Sequence, residues 1–171
     1  VVTSHKSFNT TQWLKVTIAG IEYEITVSDA DEGTMEPVPY IDGDGNALPS
    51  VRDYVLLKDI TWGSLTLNEK PYYVIEGSVE IEDEVTVSGE RTIILCDGAT
   101  LNAKAGIAGS YDSTNNSLTV YGQSGNTGKL SANTTEDYKE AIGNVALTVN
   151  GGVVEASATG NQSYGFYGNS V

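Results

Sequence analysis

The 171-residue chain has one cysteine and one histidine, and this scarcity excludes several kinds of chemistry. Cys96 has no partner for an internal disulfide, and His5 has neither a second histidine nor a cysteine near it in sequence. A transition-metal site therefore lacks ligands, and a serine or cysteine triad lacks its base. No cofactor is predicted, with calcium as the one ion left open.

The sequence also has few basic residues and no long apolar run. Nine Lys and Arg stand against 23 Asp and Glu, which gives a formal net charge of −14. Such a chain repels phosphate backbones and anionic membrane surfaces, so nucleic acid is excluded as a partner. No window approaches 18 uncharged apolar residues, so no membrane insertion is predicted. Since 39% of the residues are hydrophobic, the chain has enough apolar side chains for a folded core.

A repeated phrase dominates the rest of the sequence. The segment Leu147–Ser157, LTVNGGVVEAS, matches ILCDGATLNA at Ile94–Ala103 and LTVYGQSGNTGKLSA at Leu118–Ala132. Each copy has an apolar pair, a glycine and a second apolar pair, with alternate residues apolar, which predicts two short strands around a corner. The first pairs are Ile94 and Cys96, Leu118 and Val120, and Leu147 and Val149; the second pairs are Leu101 and Ala103, Leu130 and Ala132, and Val154 and Ala156.

The spacing of the copies predicts how these strands stack. A third apolar point follows each copy, at Ile107, Ile142 and Phe166, which makes three strands per repeat. Strands stacked repeat upon repeat give an all-β fold of the parallel β-helix type, a solenoid with one continuous column of inward side chains. In this register Cys96 is a buried thiol, and Val149→Asp is expected to bury a charge and unfold the domain.

The residues before the repeats predict a separate β element. Apolar residues alternate on both sides of Ala19 and Gly20 between Trp13 and Val27, as in a β-hairpin with one apolar face. Ile93 and Leu95 are apolar where the later copies carry small or polar residues. The hairpin is therefore predicted to cap the solenoid by covering them. On this basis the chain divides into a β-rich cap or small subdomain at 1–70 and coils at 71–171.

The end of the sequence predicts an open coil. YGFYGNSV contains no polar helix, charged strand or proline that would close the solenoid. We therefore expect further coils beyond residue 171, or self-association through the open end.

The repeat phrases also carry a family resemblance. YVIEGSVEIEDEVTVSGERTIILCDGATLNA, followed by LTVYGQSGNTGKLSA and TVNGGVVEASATG, resembles the glycine-rich right-handed β-helix repeats of secreted and cell-surface proteins of gut bacteria. The resemblance covers about three quarters of the chain and consists of repeat phrases, without a catalytic signature. It implies a right-handed helix, a bacterial secreted or cell-surface location, and an adhesin-like or carbohydrate-binding role with a glycan or host-surface partner.

Two sets of acidic residues are candidates for calcium. Asp42, Asp44, Asn46 and Asp53 partly imitate a calcium loop, but Ala47 stands where such a loop needs glycine and Pro49 interrupts it. A polar turn between strands is the alternative interpretation. The second set has two similar interpretations, a solvated face or a site for a loosely held calcium ion. It consists of Glu80, Glu82, Asp83 and Glu84. Calcium would make the module a calcium-stabilised structural stalk.

Five tyrosines are candidates for contact with sugar rings. They lie at or near the loops between repeats and can act as a glycan platform or as lids over the coils. They are Tyr111, Tyr121, Tyr138, Tyr164 and Tyr167.

A pectin-lyase-like enzyme is the catalytic alternative, either a polysaccharide lyase or a glycoside hydrolase. Such a site needs acids in one outward column of neighbouring coils. The outward positions are Leu95, Thr119 and Thr148, then Asn102, Ser131 and Glu155, and only the last is acidic. This count argues against catalysis, and the favoured function is the one that the resemblance implies, a non-catalytic surface module for adhesion or glycan contact.

Overall fold

A computed structural model describes residues 12–18, 21–27 and 35–168, and these residues form strands and no helix. The chain divides into two compact units, Val1–Glu36 and Pro37–Val171. In the first unit β1 (Gln12–Ile18) pairs antiparallel with β2 (Ile21–Val27), with Ile18 opposite Ile21. The predicted hairpin is therefore confirmed.

In the described part of the second unit every pairing between strands is parallel. The strands are β3 (Tyr54–Trp62), β4 (Leu65–Leu67), β5 (Tyr72–Ile81), β6 (Val85–Val87), β7 (Glu90–Leu95), β8 (Thr100–Ala103), β9 (Ile107–Gly109), β10 (Ser117–Gly122), β11 (Lys129–Thr134), β12 (Glu140–Gly143), β13 (Ala146–Val149), β14 (Val153–Ala158) and β15 (Tyr164–Tyr167).

These strands form three parallel ladders, which the chain visits in the same order in each repeat. The first ladder contains β7, β10 and β13, the second contains β8, β11 and β14, and the third contains β4, β6, β9, β12 and β15. The long strands β3 and β5 run through both the first and the second ladder, which joins these two into one eight-stranded sheet. The third ladder is a separate five-stranded sheet.

Both long strands bend between the first and second ladders at residues with left-handed backbone. Asp59 has φ +46° and Gly77 has φ +66°. The Asp59 carboxylate accepts a hydrogen bond from the Ser78 amide at 3.0 Å, and a Cβ atom on Gly77 would overlap that carboxylate. Glycine at position 77 therefore meets both the conformational and the steric requirement of the bend.

Most of the predicted repeat correspondences are confirmed by the strand register. Leu118 pairs with Leu147, Leu130 pairs with both Leu101 and Val154, and Ile142 pairs with both Ile107 and Phe166. The ladders begin earlier than residue 71, because β3 pairs with β5 and β4 pairs with β6. Parallel pairing therefore starts at Tyr54, inside the segment predicted as a cap or subdomain.

One correspondence is wrong, that of Ile94 in β7 and of Cys96, which follows β7. Val120 pairs with Ile93 and Tyr121 pairs with Ile94, so Ile93 and Leu95 are the inward residues. Both are fully buried in the inner core. They need no hairpin to cover them, and Leu95 does not belong to the outward column. The error arose because β7 is apolar on both faces, and alternation alone cannot orient such a strand.

The outward face of the first ladder is covered by the segment 37–51, which we call the cover segment. Tyr40 and Val51 of this segment form a second buried cluster with Tyr54, Val74 and Ile94. Its backbone is tied to the repeats, since the Ile41 amide donates to the Gly122 carbonyl at 3.1 Å and Gln123 Nε2 donates to the Pro39 carbonyl at 3.1 Å. The apolar outward residues are thus covered by this segment.

Cys96 and Val149 differ from their predicted burial. Cys96 lies half-buried beside both clusters on the outward face, where desolvation raises the pKa of its thiol. Val149 has the predicted partner, Val120, but is 46% exposed. Among the described residues β13 is paired with β10 alone, so Val149 is covered on one side. An aspartate at position 149 would therefore remain partly solvated, so the premise of the predicted unfolding, a buried Val149, is wrong.

Candidate functional site

An open groove of about 780 Å³ lies where the third ladder of one repeat leads into the first ladder of the next. Glu90, Ser117 and Ala146 line it from adjacent strands of the first ladder, with Ser117 paired to the other two. The connections after β9 and β12 form its sides. A groove in this position is built from several repeats at once, so its lining residues are distant in sequence.

Two of the five candidate tyrosines line this groove. Tyr111 is 93% exposed and Tyr167 is 65% exposed. Tyr164 lies beside Tyr167, with ring centroids 6.0 Å apart and planes inclined by 39°. These rings present large apolar surface to solvent at one corner, which suits contact with a ligand better than a contribution to the core.

The other two tyrosines have different surroundings. Tyr121 packs edge-on against Tyr40, with ring centroids 5.0 Å apart, so it belongs beneath the cover segment. Tyr138 is 67% exposed but does not line the groove. It occupies a left-handed position with φ +60°, and its amide donates to the Asn161 carbonyl at 3.0 Å.

The loop that carries Tyr111 is held in place by Asn116, which sequence reasoning did not single out as a functional residue. Its Nδ2 donates to the carbonyls of Ser110 at 2.7 Å and Ser113 at 3.1 Å, and its Oδ1 accepts from the Gly89 amide at 3.1 Å. The side chain is buried. The sequence does show asparagines between the apolar pairs of the repeats. It does not show the three hydrogen-bond partners of Asn116, which only the tertiary structure brings together.

The opposite side of the groove is fixed in a similar way by Asn144. This residue has φ +50°, and its Nδ2 donates to the Gly109 carbonyl at 3.1 Å. Besides the two asparagines, polar side chains that line the groove are Ser113, Thr114, Asn115 and Ser117. Amide and hydroxyl groups on a fixed backbone can both donate and accept hydrogen bonds to a ligand.

Two carboxylate side chains complete the lining, and neither was predicted as a site residue. Glu90 comes from β7, and Glu140 comes from β12. A Cβ atom at position 143 would lie only 3.1 Å from Glu140 Oε2. Because residue 143 is glycine, the glutamate side chain has room there. The two residues lie in different repeats, and no local pattern in the sequence links them.

The residues of the proposed calcium loop form a polar turn. Asp42 Oδ1 accepts from the amides of Asp44 at 3.0 Å and Asn46 at 2.8 Å, and Asp42 Oδ2 accepts from Asn46 Nδ2 at 3.0 Å. The bonds from Asn46, followed by the one from Asp44, hold the pKa of Asp42 below its usual value. Asp53 binds Lys70 Nζ at 2.5 Å. Calcium binding at these four residues stays the alternative interpretation.

The acidic corner between β5 and β6 is partly neutralised by lysines. Lys104 Nζ lies 2.9 Å from Glu80 and 2.6 Å from Glu82, and Lys139 Nζ lies 3.4 Å from Glu84. Within residues 35–168 no group of three or more His, Cys, Asp or Glu side chains is arranged to hold a metal ion. In this part of the chain the acidic corner is an ion-paired surface.

Comparison with protein-family models, curated proteins and solved structures finds no match to this chain. None of the described residues forms a helix long and apolar enough to span a membrane. Function is therefore inferred from the groove and from the chemistry of its lining.

Proposed function

We propose that this chain is a non-catalytic module of a secreted or cell-surface protein that contacts glycans through the groove lined by Tyr111 and Tyr167. Its fold in this proposal is a right-handed parallel β-helix. The secreted, bacterial setting and the handedness follow from the resemblance of the repeat phrases, while the site follows from the groove.

Parallel pairing of successive repeats supports the β-helix. Each repeat adds one strand to each ladder, and inward residues such as Leu101, Leu130 and Val154 occupy equivalent positions in adjacent strands. A stack of this kind presents corner residues of neighbouring repeats side by side on a rigid surface. Such a surface suits an extended ligand that touches several repeats.

The observation that carries the glycan proposal is the pairing of exposed tyrosines with fixed polar groups in one groove. Tyrosine rings offer an apolar face to the C–H groups of a sugar, while amides and hydroxyls bond to the sugar's hydroxyl groups. Asn116 and Asn144 fix the backbone around the groove through their own hydrogen bonds. A preorganised site loses less entropy when a flexible saccharide binds.

A glycan array read with wild-type protein and three variants tests this proposal. We expect Tyr111→Ala and Tyr167→Ala each to weaken binding by about fivefold, which corresponds to roughly 1 kcal/mol per ring contact. Tyr138→Ala is the matched control, because this tyrosine is similarly exposed but lies outside the groove lining. The proposal fails if no glycan binds, or if all three variants behave alike.

Glycoside hydrolysis is a second candidate function, since Glu90 and Glu140 both line the groove. A pair of carboxyl groups flanking the glycosidic bond is what most glycosidases use. Reducing-end release from any saccharide that binds tests this alternative. Release that is lost in both Glu90→Gln and Glu140→Gln would establish the hydrolase and end the non-catalytic proposal.

A further inference from the structure

We infer that the groove selects saccharides that carry a protonated amino group and rejects acidic saccharides. This inference rests on the proposed function and names the ligand class of the same site. Its basis is the charges that line the groove, the ion pairs that engage the lysines elsewhere, and the position of Glu140.

The lining of the groove contains negative charge without compensating positive charge. Glu90 and Glu140 contribute carboxylates, and no lysine, arginine or histidine is among the described residues that line it. Arg91 follows Glu90 in sequence, but its guanidinium donates to the carbonyls of Leu67, Asn68 and Glu90 and so serves the backbone. Neither groove glutamate has an ion-pair partner among the described residues.

The lysines of the second unit are engaged elsewhere. Every lysine between residues 35 and 168 forms an ion pair with a carboxylate that does not line the groove. The pairs are Lys58 with Glu76, Lys70 with Asp53, Lys104 with Glu80 and Glu82, Lys129 with Glu155, and Lys139 with Glu84 and Glu136. The two groove glutamates are therefore available to a cation brought by the ligand.

The chemistry of the lining favours an ammonium group on a sugar over a bare metal ion. Only two carboxylates line the groove, and within residues 35–168 no three His, Cys, Asp or Glu side chains are arranged to hold a metal ion. An ammonium group can bind a carboxylate and also lie over a tyrosine face, and Tyr111 and Tyr167 supply such faces. Uronic, sialic and sulfated saccharides would bring negative charge toward the same carboxylates in a chain whose net charge is −14.

Gly143 allows the charge of Glu140 to be kept while its position is changed. A Cβ atom at position 143 would lie 3.0 Å from Glu140 Cβ and 3.1 Å from Glu140 Oε2. Both distances are tighter than ordinary van der Waals contact, so the glutamate would have to move. Gly143→Ala therefore tests whether the position of the Glu140 carboxylate matters, while its charge is kept.

The experiment compares three oligosaccharides of equal length by isothermal titration calorimetry at about pH 6 and low ionic strength. They are an oligomer of glucosamine, the corresponding N-acetylated oligomer and an oligogalacturonate. Carboxylic acids are ordinarily ionised and amino groups protonated at this pH. We expect the amino oligomer to bind at least tenfold more tightly than the acetylated one, and no detectable binding of the galacturonate.

Variants assign this preference to the groove. We expect Glu90→Gln and Glu140→Gln each to weaken binding of the amino oligomer by about threefold, the size of a partly exposed charge contact, and to weaken it more than binding of the acetylated oligomer. Gly143→Ala should weaken the amino oligomer in the same selective way. Glu155→Gln is the control, since it removes the same charge from the second ladder, where Glu155 pairs with Lys129.

The outcomes separate the inference from the proposed function. Equal or tighter binding of the acetylated or acidic oligomer would overturn the inference while leaving glycan contact in place. An equal loss in Glu155→Gln would also overturn it, because the preference would then reflect the net charge of the chain. Failure of all three oligomers and of the whole glycan array would instead overturn the proposed function.

Discussion

Replacing Asn116 by alanine is expected to destabilise the second unit and to release the loop that carries Tyr111. The change removes two hydrogen bonds donated to the carbonyls of Ser110 and Ser113 and one accepted from the Gly89 amide. Each intramolecular hydrogen bond contributes roughly 0.5–1.5 kcal/mol net. Since Asn116 is 9% exposed, little water replaces them. We expect the free energy of unfolding to fall by about 2 kcal/mol.

Urea unfolding followed by circular dichroism measures this loss, with Asn115→Ala as the control. Asn115 is the adjacent, exposed asparagine, and its replacement should change stability by less than about 0.5 kcal/mol. Asn116→Asp should be at least as destabilising as Asn116→Ala, because an oxygen would then face two carbonyl oxygens. If Asn116→Ala unfolded at the same urea concentration as the parent, Asn116 would not hold the loop.

Further predictions concern the core, the strand bend, the cover segment and calcium. Val120→Asp should prevent folding because Val120 is fully buried, whereas Val149→Asp should lower stability by only about 1 kcal/mol, as compared by thermal melting. Gly77→Ala should cost about 1–3 kcal/mol in urea unfolding, since φ is +66° and a Cβ atom would overlap a carboxylate; equal stability would contradict this explanation of the bend. Burial, followed by a hydrogen bond to a neighbouring tyrosine, raises the pKa of Tyr40 to about 12, so its contribution to stability is complete below pH 10.0 and is lost as the pH rises toward 12. The loss of stability at alkaline pH should therefore be smaller in Tyr40→Phe than in the parent. An unchanged dependence of stability on pH would mean that other groups cause the loss. The melting temperature should be the same with calcium as with a chelator, because Asp42 is already hydrogen-bonded within its own turn. A melting temperature that rises with calcium, and does not rise in Asp42→Ala, would instead support the calcium-stabilised stalk.

The repeat by itself determined most of the strand register. Leu118 and Leu147, and Leu101 and Leu130, were matched from sequence because each stands in a phrase with polar neighbours, and this leaves one register that buries the apolar side. The hairpin between residues 12 and 27 followed from the same alternation. In these stretches local pattern and tertiary structure agree.

The orientation of β7 was decided by tertiary structure. Ile93, Ile94 and Leu95 are consecutive and apolar, so both faces of the strand are suited to burial, and both are in fact buried. Pairing of Ile93 with Val120 fixed which face is inward, and the cover segment then buried Ile94. A sequence pattern could show that something covers this strand without showing which segment does so.

The candidate site was determined only in part by the sequence. Exposed tyrosines near the connections between repeats were recognisable, and Tyr111 and Tyr167 do meet at one groove, while Tyr121 lies beneath the cover segment. The meeting of Glu90 with Glu140 had no local signal. Stacking of repeats places corners side by side that are tens of residues apart in the chain, and a groove across such corners therefore exists only once the ladders have formed.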